Sequence, residues 1–281
     1  MKRPLLSIGA AICWLASSIS AGAQSAPEAP SFFNEKERLA LPSLKGLNRL
    51  RFVTTLDFPP FNALNDAGQL SGYNIDLAKA LCAQLGLTDI CQIEAVPWTE
   101  LDAKLENGEA EAVIAGLSIN QASREKFLFT RPYMRLPARF VTAKTSAFSE
   151  QAAVATKGKS VGVIASTAHE QLLKAYFPDA IAKAYPDRAS MLAGLQNQEV
   201  AAVFDDGMTL SFWLESAESN DCCTFSDGAY LAPQYLGSGM SIAVAQKNAA
   251  LAGALNNALH SLQRQGKLTE LYLRYFPNSF Y

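Results

Sequence analysis

The chain has 281 residues, with 24 Lys and Arg against 26 Asp and Glu, two His, and a formal net charge of −2. No run of Lys or Arg is longer than a pair, so the electrostatic footprint of a nucleic-acid-binding protein is missing and that class is excluded. With only His169 and His260 and no C-x-x-C, no zinc site is expected, and no cofactor either.

Lys2 and Arg3, the apolar run from Leu5 to Ala16, and the small residues Ala21, Gly22 and Ala23 follow the order of a signal peptide, with cleavage expected after Ala23. The run falls short of the roughly 20 residues of a transmembrane helix. Cys13 lies inside it and no cysteine follows the small residues, so a lipid anchor is not expected. The mature chain, residues 24–281, should then be soluble outside the cytoplasm and is long enough for two domains.

Residues 24–46, rich in Pro, Ala and charge without periodicity, predict an extended arm. Arg51 to Thr55 predicts a buried strand, closed by the rigid loop Asp57-Phe58-Pro59-Pro60-Phe61. Ile75, Ala78, Leu81, Cys82 and Leu85 recur at helical spacing, with Asn74 placed to cap. Ile90 to Val96 predicts a second strand, Thr99 with Asp102 a helix start, and Ala112 to Ala115 a third strand. Such alternation predicts an α/β fold, its sheets mostly parallel and flanked by helices.

In an oxidising compartment the four cysteines left after processing can pair. Cys82 and Cys91 flank the turn at Leu85-Gly86-Leu87, and a local disulfide is expected there. Cys222 and Cys223 are adjacent. A strained ring, two half-buried thiols and a link to another chain all remain open for them.

An internal repeat is visible at an offset of 90: Leu105, Asn107, Glu109, Ala112 and Val113 match Leu195, Asn197, Glu199, Ala202 and Val203. Arg51 to Thr55 likewise has a counterpart in Ser160 to Ala165, followed by a helix from Thr167. Two similar lobes follow. Open α/β sheets bind ligands beyond the carboxyl ends of their strands, which directs attention to residues after Thr55, Ile114, Ala165 and Phe204.

Those positions hold Phe58 and Phe61, Gly116, Ser118 and Asn120, Ser166 and Thr167, and Asp205 and Asp206, with Trp98 after the second strand. Phe58 and Trp98 suit a pocket wall. Thr167 with Glu170 has capping-box spacing, which orients a helix N-terminus that could receive a carboxylate, although a cap serving only its own helix has the same spacing. Asp205, after an apolar strand, is costly to bury unpaired and would suit a ligand ammonium; Asp206 reads as a solvated or turn-forming neighbour.

These segments resemble the periplasmic solute-binding proteins of polar amino-acid uptake, in the motifs Phe58-Pro59-Pro60-Phe61, Gly72-Tyr73-Asn74-Ile75-Asp76-Leu77, Trp98-Thr99-Glu100-Leu101, Val113 to Ile119, Phe129 to Tyr133 and Gly158 to Val163. The resemblance implies a two-lobed fold of the type II periplasmic-binding-protein kind: lobe 1 over 47–138 and 240–281, lobe 2 over 142–232, and two hinge strands. It also implies a monomer in the periplasm that captures an amino acid or related amine-bearing solute and hands it to an ABC permease and its ATPase. Aromatics at Phe58 and Trp98 would stack on the ligand, Ser118 and Thr167 would meet its carboxylate, and Asp205 its ammonium.

One departure concerns the carboxylate. The family's arginine, counted without gaps, falls on Ser123, and Arg124 comes one residue late, a turn of about 100° on a helix. Either a local insertion restores Arg124, or the ligand lacks a standard α-carboxylate. Thr55 stands where receptors of basic amino acids place an acid, which speaks against a cationic ligand side chain. The alternatives are an enzyme on the same fold, of the cyclohexadienyl or arogenate dehydratase kind, and an accessory or sensory binding protein.

Overall fold

The computed structural model describes residues 30–281 except Glu35, Ser118 and Asn278; the expected signal peptide lies outside the described residues. Ahead of the first strand, the described residues of 30–46 hold no helix or strand but are docked, with Phe33 buried in the first core. Arg131 donates to the Glu37 carboxylate, and Asn257 Nδ2 donates to Leu39 O at 2.8 Å.

The apolar run at Leu50–Thr54 forms β1. A short hairpin, β2 (Ala63–Leu64) and β3 (Leu70–Ser71), precedes α1 (Tyr73–Gln84). Then follow β4 (Cys91–Ala95), α2 (Leu101–Glu106), β5 (Ala112–Val113), α3 (Gln121–Lys126) and β6 (Phe127–Phe129). The chain crosses to a second sheet through residues 130–137 and enters β7 (Ala138–Ala143), α4 (Ala152–Ala155), β8 (Ser160–Ile164), α5 (Ala168–Tyr176) and β9 (Ile181–Tyr185). It continues through α6 (Arg188–Gln196), β10 (Ala202–Asp206), α7 (Gly207–Glu215), β11 (Cys223–Tyr230) and α8 (Pro233–Leu236). The return leads into β12 (Ala243–Ala245), α9 (Ala249–Arg264) and α10 (Lys267–Tyr275), with Met134 and Met240 bridging the two crossings antiparallel.

The sheets share one topology: β4-β1-β5-β12-β6 in the first corresponds strand for strand to β9-β8-β10-β7-β11 in the second. In each, three strands are parallel, the fourth runs antiparallel to them, and the fifth is antiparallel to the fourth. The sheets are thus mostly parallel, as expected, with four of five strands in each running the same way; each is mixed only through its fourth strand, which the chain supplies from the far side as it crosses between lobes. The repeat at offset 90 falls on equivalent turns. Asn107 and Asn197 follow α2 and α6, and the next residues, Gly108 (φ +71) and Gln198 (φ +60), are both left-handed. Glu109 N donates to Lys104 O at 2.9 Å, and Glu199 N to Gly194 O at 2.8 Å, closing the same six-residue loop.

Cys82 and Cys91, expected to pair, are bonded and tie α1 to β4. Cys222 and Cys223 are joined to each other as neighbours, which resolves the open reading in favour of the ring. The separation of nine between Cys82 and Cys91 makes a small loop, so the double variant Cys82→Ser/Cys91→Ser is expected to lose about 2.5 kcal/mol on the chain-entropy account. Urea unfolding of the two proteins checks this, and unchanged midpoints would refute it.

Candidate functional site

The end of β1 is held by buried polar groups. Thr54 Oγ1 donates to Ile114 O at 2.7 Å, linking β1 to the end of β5. Asn62 Nδ2 donates to Thr55 Oγ1 at 2.8 Å and to Thr55 O at 3.1 Å. Asn74 Nδ2 donates to Asn62 Oδ1, and Tyr133 Oη to Asn74 Oδ1, both at 2.8 Å. Each amide is fully buried and satisfied by the next, so the chain of bonds fixes the loop 56–62 above it. This corrects the expected helix cap: Gly72, not Asn74, precedes α1, because the Asn74 side chain is committed to that network.

The loop sorts its two phenylalanines. Phe61 is buried in the core, and Phe58 is half-buried and stacked on it with ring centres 4.7 Å apart. Trp98, following Pro97 past the end of β4, is 50% exposed, far too open for a core residue. Gly116 has φ +76, and a Cβ there would stand 3.4 Å from the Phe58 ring. These residues border two adjoining hollows. One of about 320 Å³ is lined by Thr55, Leu56, Asp57, Ala95, Val96, Pro97 and Trp98. The other, of about 280 Å³, is lined by Thr55, Asp57, Phe58, Trp98, Ala115 and Gly116. Shared walls make them one depression at the carboxyl ends of β1, β4 and β5, of a size suited to a small solute. Phe58, Trp98 and Gly116 thus come together in it, while Ser118 lies outside the described residues. Asp57 was not among the expected site residues, yet it lines both hollows. Its position directly before Phe58, past the strand end, was the available signal.

Arg124 is not part of this depression. It is exposed in the last turn of α3, its guanidinium has no ion pair among the described residues, and it lines neither hollow. Ser123, one residue earlier, completes a capping box with Asn120: its N–H donates to Asn120 Oδ1 at 2.9 Å and its Oγ accepts from Asn120 N at 3.0 Å.

In the second sheet the strand ends gather a different set. Thr167 caps α5, its Oγ1 accepting from Glu170 N at 3.2 Å and donating to Ile164 O at 2.8 Å, so its hydroxyl is used locally. The expected capping box is modified. Glu170 Oε2 accepts from Ser166 N at 2.7 Å, one residue before the cap, where Ser166 takes φ +61. Lys174 beside Glu170, and then the Ser166 N–H, hold that carboxylate below its ordinary pKa range. The helix start therefore already carries a carboxylate of its own, which opposes a second anion there.

Asp205 is 1% exposed and lies within β10 rather than after it. Its Oδ2 accepts from Arg188 Nε at 2.6 Å, and its Oδ1 is 3.4 Å from His169 Nδ1. The burial cost that pointed to a ligand ammonium is thus met within the chain by this pair. Asp206 turns out to cap α7, its Oδ1 accepting from Thr209 N and Oγ1 at 2.7 Å each, in keeping with the turn-forming role. Arg188 went unnoticed in the sequence because β9, which it follows, was not among the expected strands.

Among the described residues no group of His, Cys, Asp and Glu could hold a metal ion, and no helix is long and apolar enough to cross a membrane. Over residues 50–278 the chain matches the profile of the bacterial extracellular solute-binding proteins, family 3. It is 31% identical over 231 residues to the putative ABC transporter arginine-binding protein 2 of Escherichia coli K12, covering 81% of this chain and 90% of that one. With the histidine-binding periplasmic protein of Salmonella typhimurium LT2 it shares 26% identity over 235 residues, 83% of this chain and 89% of the relative. Two solved structures share its fold. The unliganded, open L-cystine solute receptor of Neisseria gonorrhoeae superposes with TM-score 0.70 at 18% identity, over 81% of this chain and 92% of that one. Substrate-binding domain 2 of Lactococcus lactis GlnP gives 0.66 at 22% identity, over 85% and 100%.

Proposed function

The chain belongs to the bacterial extracellular solute-binding proteins, family 3, and on that premise we propose that it captures an amino acid between its two lobes in the periplasm and delivers it to an ABC permease. The observation that carries this reading is the depression walled by Phe58, Trp98 and Asp57 on the first sheet, together with the charged groups at the matching strand ends of the second. Two half-sites on separate lobes bind in full only when both touch the solute, so ligand shifts the population toward a closed form. Relatives named as ABC transporter arginine-binding proteins support the solute class and the transporter, and one named as a histidine-binding periplasmic protein supports the solute class and the compartment. They are binding proteins, and this chain is read as one rather than as an enzyme. In the bound form the solute stacks between Phe58 and Trp98 over the backbone at Gly116, and Asp57 offers a carboxylate to a cationic part of it.

The test is a thermal-shift screen of ligand-stripped residues 24–281 against the common amino acids. A solute at about 100 times its Kd adds about 2.7 kcal/mol to stability. Trp98→Ala is expected to abolish the shift while leaving the ligand-free melting temperature nearly unchanged, since the ring is half exposed. If no amino acid raises the melting temperature of the natural chain, the reading fails.

A further inference from the structure

Arg188 and Asp205 form an uneven pair. The carboxylate is 1% exposed, whereas the arginine side chain keeps 39% of its surface open. Only Nε is engaged, and Nη1 and Nη2 have no partner among the described residues. As a stability device such a pair is poor, because desolvating the carboxylate offsets most of the attraction. As a way of holding a guanidinium still it is effective: one edge is anchored, and the two outer nitrogens keep the parallel geometry that matches a carboxylate. The neighbouring positive candidates are spent or elsewhere. The start of α5 is answered by Glu170, the Thr167 hydroxyl proton is committed to Ile164 O, and Arg124 lines neither hollow of the first lobe. Arg188 begins α6 after Pro186 and Asp187, which follow β9 at the end of the second sheet where ligands of open α/β folds bind.

Resting on the amino-acid-capture reading, we propose that Arg188 is the second lobe's receptor for a carboxylate of the solute, with Asp205 as its positioning residue. The site then selects amino acids over the amines they become on decarboxylation. A buried polar contact of this kind discriminates strongly, because an amine leaves the guanidinium fork unanswered in the closed cleft.

The experiment is calorimetric titration of the mature, ligand-stripped protein with L-arginine and its decarboxylated counterpart agmatine, and with L-histidine and histamine. Arg188→Gln is expected to weaken binding of the amino acid about 10- to 100-fold while leaving the amine within about threefold, so the preference collapses. Arg188→Lys, which keeps a cation beside Asp205 but loses the planar fork, should fall between. Ligand-free melting curves for both variants separate loss of binding from loss of fold, and the lysine variant keeps the test open if the glutamine variant does not fold. Unchanged affinity and preference in the two variants would overturn the proposal. So would tighter amine binding in Arg188→Gln, which would make Arg188 a competitor for Asp205, or a preference erased by Arg124→Ala alone. If neither these probes nor any common amino acid in the thermal-shift screen binds the natural chain, the capture reading falls and this proposal with it.

Discussion

Gly72→Ala is expected to destabilise the protein by about 3–5 kcal/mol and to abolish ligand-induced stabilisation, the largest effect of any single methyl group added near the site. A Cβ at residue 72 would lie 2.2 Å from Phe61 O and 2.8 Å from Pro60 O, both backbone atoms, at φ +129 where side chains are rarely accommodated. The approach is close because Tyr73 N donates to Pro60 O and Asn74 N to Phe61 O, each at 2.9 Å. Relief therefore requires the loop to leave α1, and Asn62 and Phe58 move with it. Gly68→Ala is the control, since Gly68 is also left-handed (φ +71) but has nothing within 4 Å of its Cβ position. It should cost only about 1–2 kcal/mol. Equal urea midpoints for the two variants would mean that the contact at Phe61 is not the constraint described.

Phe276→Ala is expected to cost about 3–5 kcal/mol, the range for deleting a buried aromatic ring. Phe276 is 1% exposed at the end of α10, with the rings of Phe61 at 5.5 Å, Tyr272 at 5.2 Å and Phe280 at 5.1 Å. It also meets Phe212 of α7 at 6.1 Å, which joins the C-terminal segment to the second lobe. Phe61 in turn carries Phe58, so the cavity left by the variant lies directly behind the wall of the depression. Phe276→Leu should recover more than half of the loss by refilling volume. Chemical unfolding followed by circular dichroism reads both, and a cost below about 1 kcal/mol for the alanine variant would show that the site relaxes around the missing ring.

Local pattern decided much of this molecule. β1, β4 and β8 follow from short apolar runs bounded by turn residues, and the repeat at offset 90 marks two turns that prove equivalent in hydrogen bonding. Phe58 and Trp98 were readable as walls because a Pro-rich loop and a strand end place them past the ends of β1 and β4. The Cys82–Cys91 bridge needed only a helix, a turn and a strand in succession. Each of these features is set by residues within about ten positions of one another, where backbone propensity and side-chain alternation suffice.

What the tertiary structure decided are the encounters between distant segments. Asn74 has the local chemistry of a cap, but packing against Asn62 and Tyr133 sets its amide in a buried network instead. The fourth strand of each sheet runs antiparallel because the chain arrives from the other lobe, a matter of connectivity that no periodicity encodes. Above all, Asp205 read as a carboxylate without a partner, and it has one 17 residues away, since β9 and α6 bring Arg188 across the strand ends. A sequence shows that a charge must be answered; which group answers it depends on distances that exist only once the sheets have formed.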